Sequence, residues 1–155
     1  MKPIRKVLVA NRGEIAVRII RTCREMGIGS VAVFSEADRT ALHVRLADEA
    51  YKLGGSAPSE SYLQQEKIIE AALRTGSDAI HPGYGFVSEN PSFADLVQSK
   101  GLIFIGPGGA AIRSLGDKTA ARRLARTLGI PTIHGSPEAL KGDQEAFTCA
   151  KEVGY

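Results

Sequence analysis

The decapeptide His81-Pro-Gly-Tyr-Gly-Phe-Val-Ser-Glu-Asn90 sets an imidazole, a phenol and a carboxylate around two glycines. Gly83 and Gly85 remove Cβ atoms on both sides of Tyr84, so the backbone can turn sharply and a second molecule can approach the main chain. That is the composition of a ligand loop, although the two glycines would equally serve a tight strand-to-helix turn with no ligand. His81 follows a short apolar run beside a proline. No carboxylate lies at an obvious partner spacing, so an orienting ring nitrogen is expected there before general-base chemistry. Asn11-Arg12-Gly13 at an earlier junction could hold a loop through neighbouring carbonyls or touch a ligand directly. Further on, Asp117 is expected to cap a helix and to put Lys118 in its first turn, where a cation meets the positive end of the macrodipole at a cost of about a few tenths of a kcal/mol. Lys118 reads either as an anion contact or as an exposed side chain whose stem covers the helix start.

The other candidates are weaker. His43 lies in a helical stretch with Leu42 and Leu46 and reads as structural, and His134 sits in a Gly/Pro-rich loop and reads as exposed. Glu14, Glu25, Asp48, Glu49 and Glu89 are dispersed and form no paired acidic motif for magnesium. Lys118, Arg122 and Arg126 share a helix face by i, i+4 spacing. Without interleaved aromatics they read as a solvated face, and no nucleic-acid partner is expected.

The elements that must position these residues alternate. Val7–Ala10, Val31–Phe34 and Leu102–Ile105 are short apolar runs typical of parallel strands buried on both faces. Asp78-Ala79-Ile80 has the length of a buried strand end. Between them a helix over Glu14–Met26 places Ile15, Ile19, Cys23 and Met26 in one stripe, with Ala16 and Ile20 beside it, and stops at Gly27 and Gly29. A second spans Leu63–Arg74 with Ile68, Ile69, Ala72 and Leu73 inward. A third follows Asn90 as N-cap and Pro91 at N1, carrying Phe93, Leu96 and Val97. This rhythm predicts an α/β fold, a doubly wound parallel sheet with flanking helices and ligands beyond the carboxyl ends of its strands. After Pro107 a short helical turn runs through Leu115. A helix follows with Ala120, Ala121, Leu124, Ala125 and Leu128, then a last one over Gln144–Val153 with Phe147, Ala150 and Val153 inward and Gly154 at C′. The expected division is residues 1–113 and 114–155, with the tail beyond Gly116 loosely packed.

Composition narrows the function classes. The net charge of +3 is too small to argue for nucleic acid, and no apolar run approaches membrane-spanning length. Cys23 and Cys149 match no metal or redox spacing and suggest two core thiols in a cytoplasmic protein. A dinucleotide domain wants three glycines at the first junction. Here Gly13 stands alone, followed by Glu14, a carboxylate already at the positive helix end, which argues against NAD binding.

The decapeptide, departing only at Val87 where Leu is usual, resembles the corresponding loop of the biotin carboxylase components of biotin-dependent carboxylases. ANRGEIAVRIIR (Ala10–Arg21), LADEAYKLG (Leu46–Gly54), ESYL (Glu60–Leu63), FIGP (Phe104–Pro107) and GDKTAAR (Gly116–Arg122) are similar to further landmarks in family order. The resemblance implies a Rossmann-like pre-ATP-grasp domain followed by the first helices of an ATP-grasp domain, whose family text continues past Tyr155. It implies ATP, Mg2+ and bicarbonate as reactants and biotin on a carrier protein as acceptor, with carboxyphosphate as the activated species. By resemblance Tyr84 and the Gly85 N–H face biotin and Lys118 reaches the nucleotide, while no catalytic residue or metal ligand is assigned. Implied partners are a biotin carboxyl carrier, a carboxyltransferase and a second copy meeting at Arg18, Arg21 and Glu25. The segment by itself is expected to be inactive; a non-catalytic dimerisation or assembly module is the alternative, and a stand-alone nucleotide sensor fits less well.

Overall fold

A computed structural model describes residues 3–116, 118–133 and 140–154. Asp117, His134 and Tyr155 lie outside the described residues, as does the side chain of Lys118, so the expected cap at Asp117 and the exposed loop at His134 are not part of the description. The chain divides into two compact units, Met1–Gly109 and Ala110–Tyr155.

In the first unit the apolar runs become a five-stranded sheet. Its strands are β1 (Lys6–Val9), β2 (Gly29–Ser35), β3 (Glu49–Gly54), β4 (Ala79–His81) and β5 (Ile103–Phe104), all parallel in the order β3-β2-β1-β4-β5. Leu8, Val9, Val31, Ala32, Val33 and Ile80 have no exposed surface, as expected for strands covered on both faces. Each large aliphatic side chain buried in this way contributes about 1.5–3 kcal/mol. One crossover helix, α1 (Gly13–Glu25), lays Ala16, Ile20 and Cys23 against Val7, Val9, Ala32 and Ala79. The short α2 (Leu42–Leu46) carries His43. Helices α3 (Gln65–Arg74) and α4 (Pro91–Ser99) bury Ile68, Ile69, Ala71 and Ala72, and Phe93, Ala94 and Val97. Asn90 caps α4, its side chain accepting from the Phe93 N–H at 3.1 Å, with Pro91 at the first helical position.

Several inward assignments are corrected. Met26 is 66% exposed, because the α1 stripe is split: Ala16, Val17, Ile20 and Cys23 meet the sheet, while Ile19 and Met26 line an open apolar groove with Ile4, Ile28 and Ile105. Leu73 is also exposed; α3 turns Ala71 inward instead, beside Ile68 and Ala72, so the buried face is rotated away from Leu73. Edge strand β3 is an element that its mixed sequence did not announce.

The second unit is helical among its described residues: α5 (Gly109–Gly116) begins at the junction and is followed by α6 (Lys118–Thr127) and α7 (Asp143–Val153). Phe147 and Val153, read as inward, are exposed, and Leu128 lies beyond the end of α6 and is exposed as well. Gly154 adopts a left-handed φ of 99° and closes α7 through its N–H to the Ala150 and Lys151 carbonyls, the C′ geometry expected of it. No described helix is long and apolar enough to cross a membrane.

Candidate functional site

Strand order reverses between β1 and β4, and beyond the carboxyl ends of the strands at such a point open parallel sheets bind their ligands. Both segments singled out from the sequence start at that place. Asn11-Arg12-Gly13 follows β1, the decapeptide follows β4, and the Ala10 N–H donates to the His81 carbonyl at 2.9 Å to extend the pairing of the two strands.

Asn11 is buried and fully used. Its Nδ2 donates to the Pro82 and Tyr84 carbonyls, each at 2.8 Å, and its Oδ1 accepts from the Arg12 N–H at 2.9 Å. Of the two roles open to it, the structure shows the loop-holding one. His81 orients the same turn, its Nδ1 accepting from the Gly83 N–H at 3.0 Å, and burial pushes its pKa down, which keeps the ring neutral and able to accept. Gly83 has φ 66°, and a Cβ there would lie 2.7 Å from Asn11 Nδ2 and 2.9 Å from Ile15 Cγ2. The loop therefore rests directly on the first junction, with no room for a side chain between them.

The next residues face outward. Tyr84 is 76% exposed, Gly85 has φ 70°, and the position of an added Cβ at Gly85 has no atom within 4 Å. Among the described residues the Gly85 N–H has no acceptor, whereas its carbonyl accepts from the Ser88 N–H at 2.9 Å. The arrangement offers an aromatic ring and a directed backbone donor side by side, suited to a flat ligand that carries a carbonyl. Val87, the departure noted in the loop, is buried and anchors the far side of the turn.

A second set of contacts was not foreseen. Phe86 has φ 48°, unusual for a bulky residue. Its ring stacks on Tyr62 at 5.1 Å and 16°, and the Arg12 guanidinium lies 5.8 Å from the Phe86 centroid and 5.9 Å from that of Tyr62. The Tyr62 hydroxyl donates to Asp38 Oδ2 at 2.7 Å and accepts from the Ser35 N–H at 3.2 Å; Ser35 Oγ donates to the same carboxylate at 2.8 Å, and Arg12 faces it at 3.6 Å. Burial opposes ionisation of Asp38, yet the hydrogen bonds from Tyr62 and Ser35 and the Arg12 charge hold its pKa below the usual carboxylate value. Burial first, then the bond to Asp38, pushes Tyr62 up to about 12. His43 is buried as expected, its Nε2 3.3 Å from the Val33 carbonyl, and burial pushes its pKa down.

Lys118 is the first residue of α6, in the second unit, while Tyr84 and Gly85 stand in the first. Among the described residues no group of three or more His, Cys, Asp or Glu side chains could hold a metal ion. Cys23 and Cys149 are free thiols. Arg18, Arg21 and Glu25 are exposed on α1 and, among the described residues, form no ion pair.

A family model described as the N-terminal domain of biotin carboxylase matches residues 3–112. The chain is 51% identical to biotin carboxylase 1 of Bacillus subtilis over 98% of its length, and 50% identical to the 2-oxoglutarate carboxylase small subunit of Hydrogenobacter thermophilus over 97%. It spans 34% and 32% of those relatives, respectively. Among solved structures it superimposes with a TM-score of 0.89 and 49% identity on the biotin carboxylase domain dimer of Hydrogenobacter thermophilus 2-oxoglutarate carboxylase, in complex with MgADP, ADP and bicarbonate, covering 100% of this chain and 34% of that one.

Proposed function

Because the chain belongs to the biotin carboxylase N-terminal domain family, we propose that it serves as the amino-terminal portion of an ATP-dependent biotin carboxylase, the ligase that activates bicarbonate as carboxyphosphate and passes the carboxyl group to biotin on a carrier protein. Residues 1–113 are its pre-ATP-grasp domain and 114–155 the start of its ATP-grasp domain. The match to residues 3–112 and the break after Gly109 support that division. The carrier, a carboxyltransferase and a cytoplasmic setting complete the reading, together with a homodimer through Arg18, Arg21 and Glu25. The dimer draws support from the exposure of these three side chains on α1 and from the dimeric form of the Hydrogenobacter relative.

The observation that carries the proposal is the Gly85 N–H, without an acceptor among the described residues, beside the exposed Tyr84 ring at the strand-order reversal. A ureido ring fits that pair: its face lies on the phenol and its carbonyl accepts from the amide. The chain's own part in the reaction is then to bind and orient the acceptor, with Asn11 and His81 holding the loop that does so. ATP supplies the driving force through groups carried mostly outside these 155 residues, Lys118 being the one nucleotide contact assigned within them. In the carboxylase that carries this segment, Gly85→Ala should raise KM for free biotin while leaving KM for ATP near its original value, because the added Cβ fills the ligand's space. Lys118→Ala should instead weaken ATP by about 1.5–3 kcal/mol through loss of a charge-assisted hydrogen bond. An unchanged biotin KM in Gly85→Ala, or micromolar ATP binding by the 155-residue chain in calorimetry, would refute this division of labour.

A further inference from the structure

We propose that Tyr62, Asp38 and Arg12 form a clamp that holds Phe86 in its left-handed conformation and thereby aims Tyr84 and the Gly85 N–H at their ligand. The inference rests on the reading of that loop as the biotin site. Phe86 adopts φ 48°, in a region that bulky residues rarely enter, directly after the glycine that presents the amide. Such a conformation persists only where its surroundings over-determine it. Here they do. The Phe86 ring is stacked on Tyr62 and flanked by the Arg12 guanidinium. Tyr62 is itself 1% exposed and fixed at its hydroxyl by Asp38 and the Ser35 N–H. Asp38 binds Ser35 Oγ as well and faces Arg12, which ties the clamp to the end of β2.

The two halves of the loop are thus held by consecutive residues. Asn11 fixes the Pro82 and Tyr84 carbonyls, and Arg12 presses on Phe86. Between these anchors lie the exposed Tyr84 ring and the open side of Gly85. Arg12, Asp38 and Tyr62 are positioning residues, since each acts through Phe86 on the residues that meet the ligand. Ordinary core packing would not need a strained residue at this place, because a glycine or a left-handed asparagine would make the same turn without a clamp.

The test uses the carboxylase that carries this segment, with free biotin as acceptor and KM for biotin, KM for ATP, kcat and thermal midpoint read for each variant. Tyr62→Phe keeps the stacked ring and removes only the hydroxyl, so it tests the clamp without emptying the core; Arg12→Gln removes the guanidinium. Each should raise KM for biotin by about three- to tenfold while KM for ATP stays within about twofold. In a Phe86→Gly background the Arg12→Gln effect should shrink, because glycine enters the left-handed region without being held there. A purely structural role would lower the thermal midpoint and the active fraction with both KM values unchanged, and that result would overturn the clamp. Gly85→Ala separates the two levels of inference. If it raises KM for biotin while Tyr62→Phe and Arg12→Gln do not, the clamp is wrong and the site stands. If it too leaves KM for biotin unchanged, the site reading fails and the clamp with it.

Discussion

Gly83 and Gly85 differ by two positions and share a left-handed backbone, yet the structure assigns them different penalties for gaining a methyl group. Either substitution to alanine places an L residue where φ is 66° or 70°, at a cost of about 1–2 kcal/mol. At Gly85 nothing more is expected, since no atom lies within 4 Å of the new carbon. At Gly83 the same carbon would stand 2.7 Å from Asn11 Nδ2, 2.9 Å from Asn11 Cγ and 2.9 Å from Ile15 Cγ2. Asn11 is 3% exposed and holds two carbonyls through its amide, so pushing it aside leaves buried polar groups unpaired, for a further cost of about 1–3 kcal/mol. Gly83→Ala should therefore destabilise by roughly 2–5 kcal/mol and Gly85→Ala by roughly 1–2. Urea unfolding of the 155-residue chain followed by circular dichroism, comparing midpoints at constant slope, reads the difference. Equal losses in the two variants would mean that the loop does not rest on Asn11 as described.

Three further outcomes follow from particular contacts. Tyr62 ionises at about 12 in the folded chain against 10.0 in an unfolded one; the raised value favours the folded state below pH 10, and stability should fall by up to about 2–3 kcal/mol as pH rises from 10 to 12. Tyr62→Phe should flatten that alkaline fall, and a parent chain whose urea midpoint is level between pH 10 and 12 would contradict the environment given for the phenol. Amide exchange should be faster in α7, which has no buried residue, than in α1 and α4, and equal protection would defeat the looser packing expected of the tail. Sedimentation should show lower mass for Arg18→Glu than for the parent if α1 meets a second copy; identical masses, both monomeric, would remove this helix from the dimer.

Legibility from sequence followed burial. Val7–Val9 and Val31–Val33 are covered on both faces, so their runs are uninterrupted and mark strands at once. The edge strand β3, Glu-Ala-Tyr-Lys-Leu-Gly, is largely exposed and carries no such run. Met26, Leu73, Phe147 and Val153 satisfied a helical stripe without being buried, because periodicity identifies a face and not what covers it. The orienting role of His81 could be read from its place at a strand end beside a proline, whereas Asn11 stayed open between loop-holding and ligand contact until the carbonyls it binds were placed. The clamp could not be read from the sequence. Arg12, Asp38, Tyr62 and Phe86 follow β1, β2, β3 and β4 in turn, one residue from each strand-end loop, and only the order of strands in the sheet brings them together.

The pairing of β1 with β4 also has a consequence during synthesis. Asn11 is made early, but the carbonyls it holds belong to residues 71 and 73 positions later. Until β4 has emerged and docked, an amide destined for the interior has only water to bind, and the ends of a long loop must first be brought together. No shorter amino-terminal stretch can assemble the ligand loop by itself. A nascent chain stalled before Ala79 leaves the ribosome would lack the strand that β1 pairs with on this side, so acquisition of the loop geometry reports that the whole β1-to-β4 span has folded.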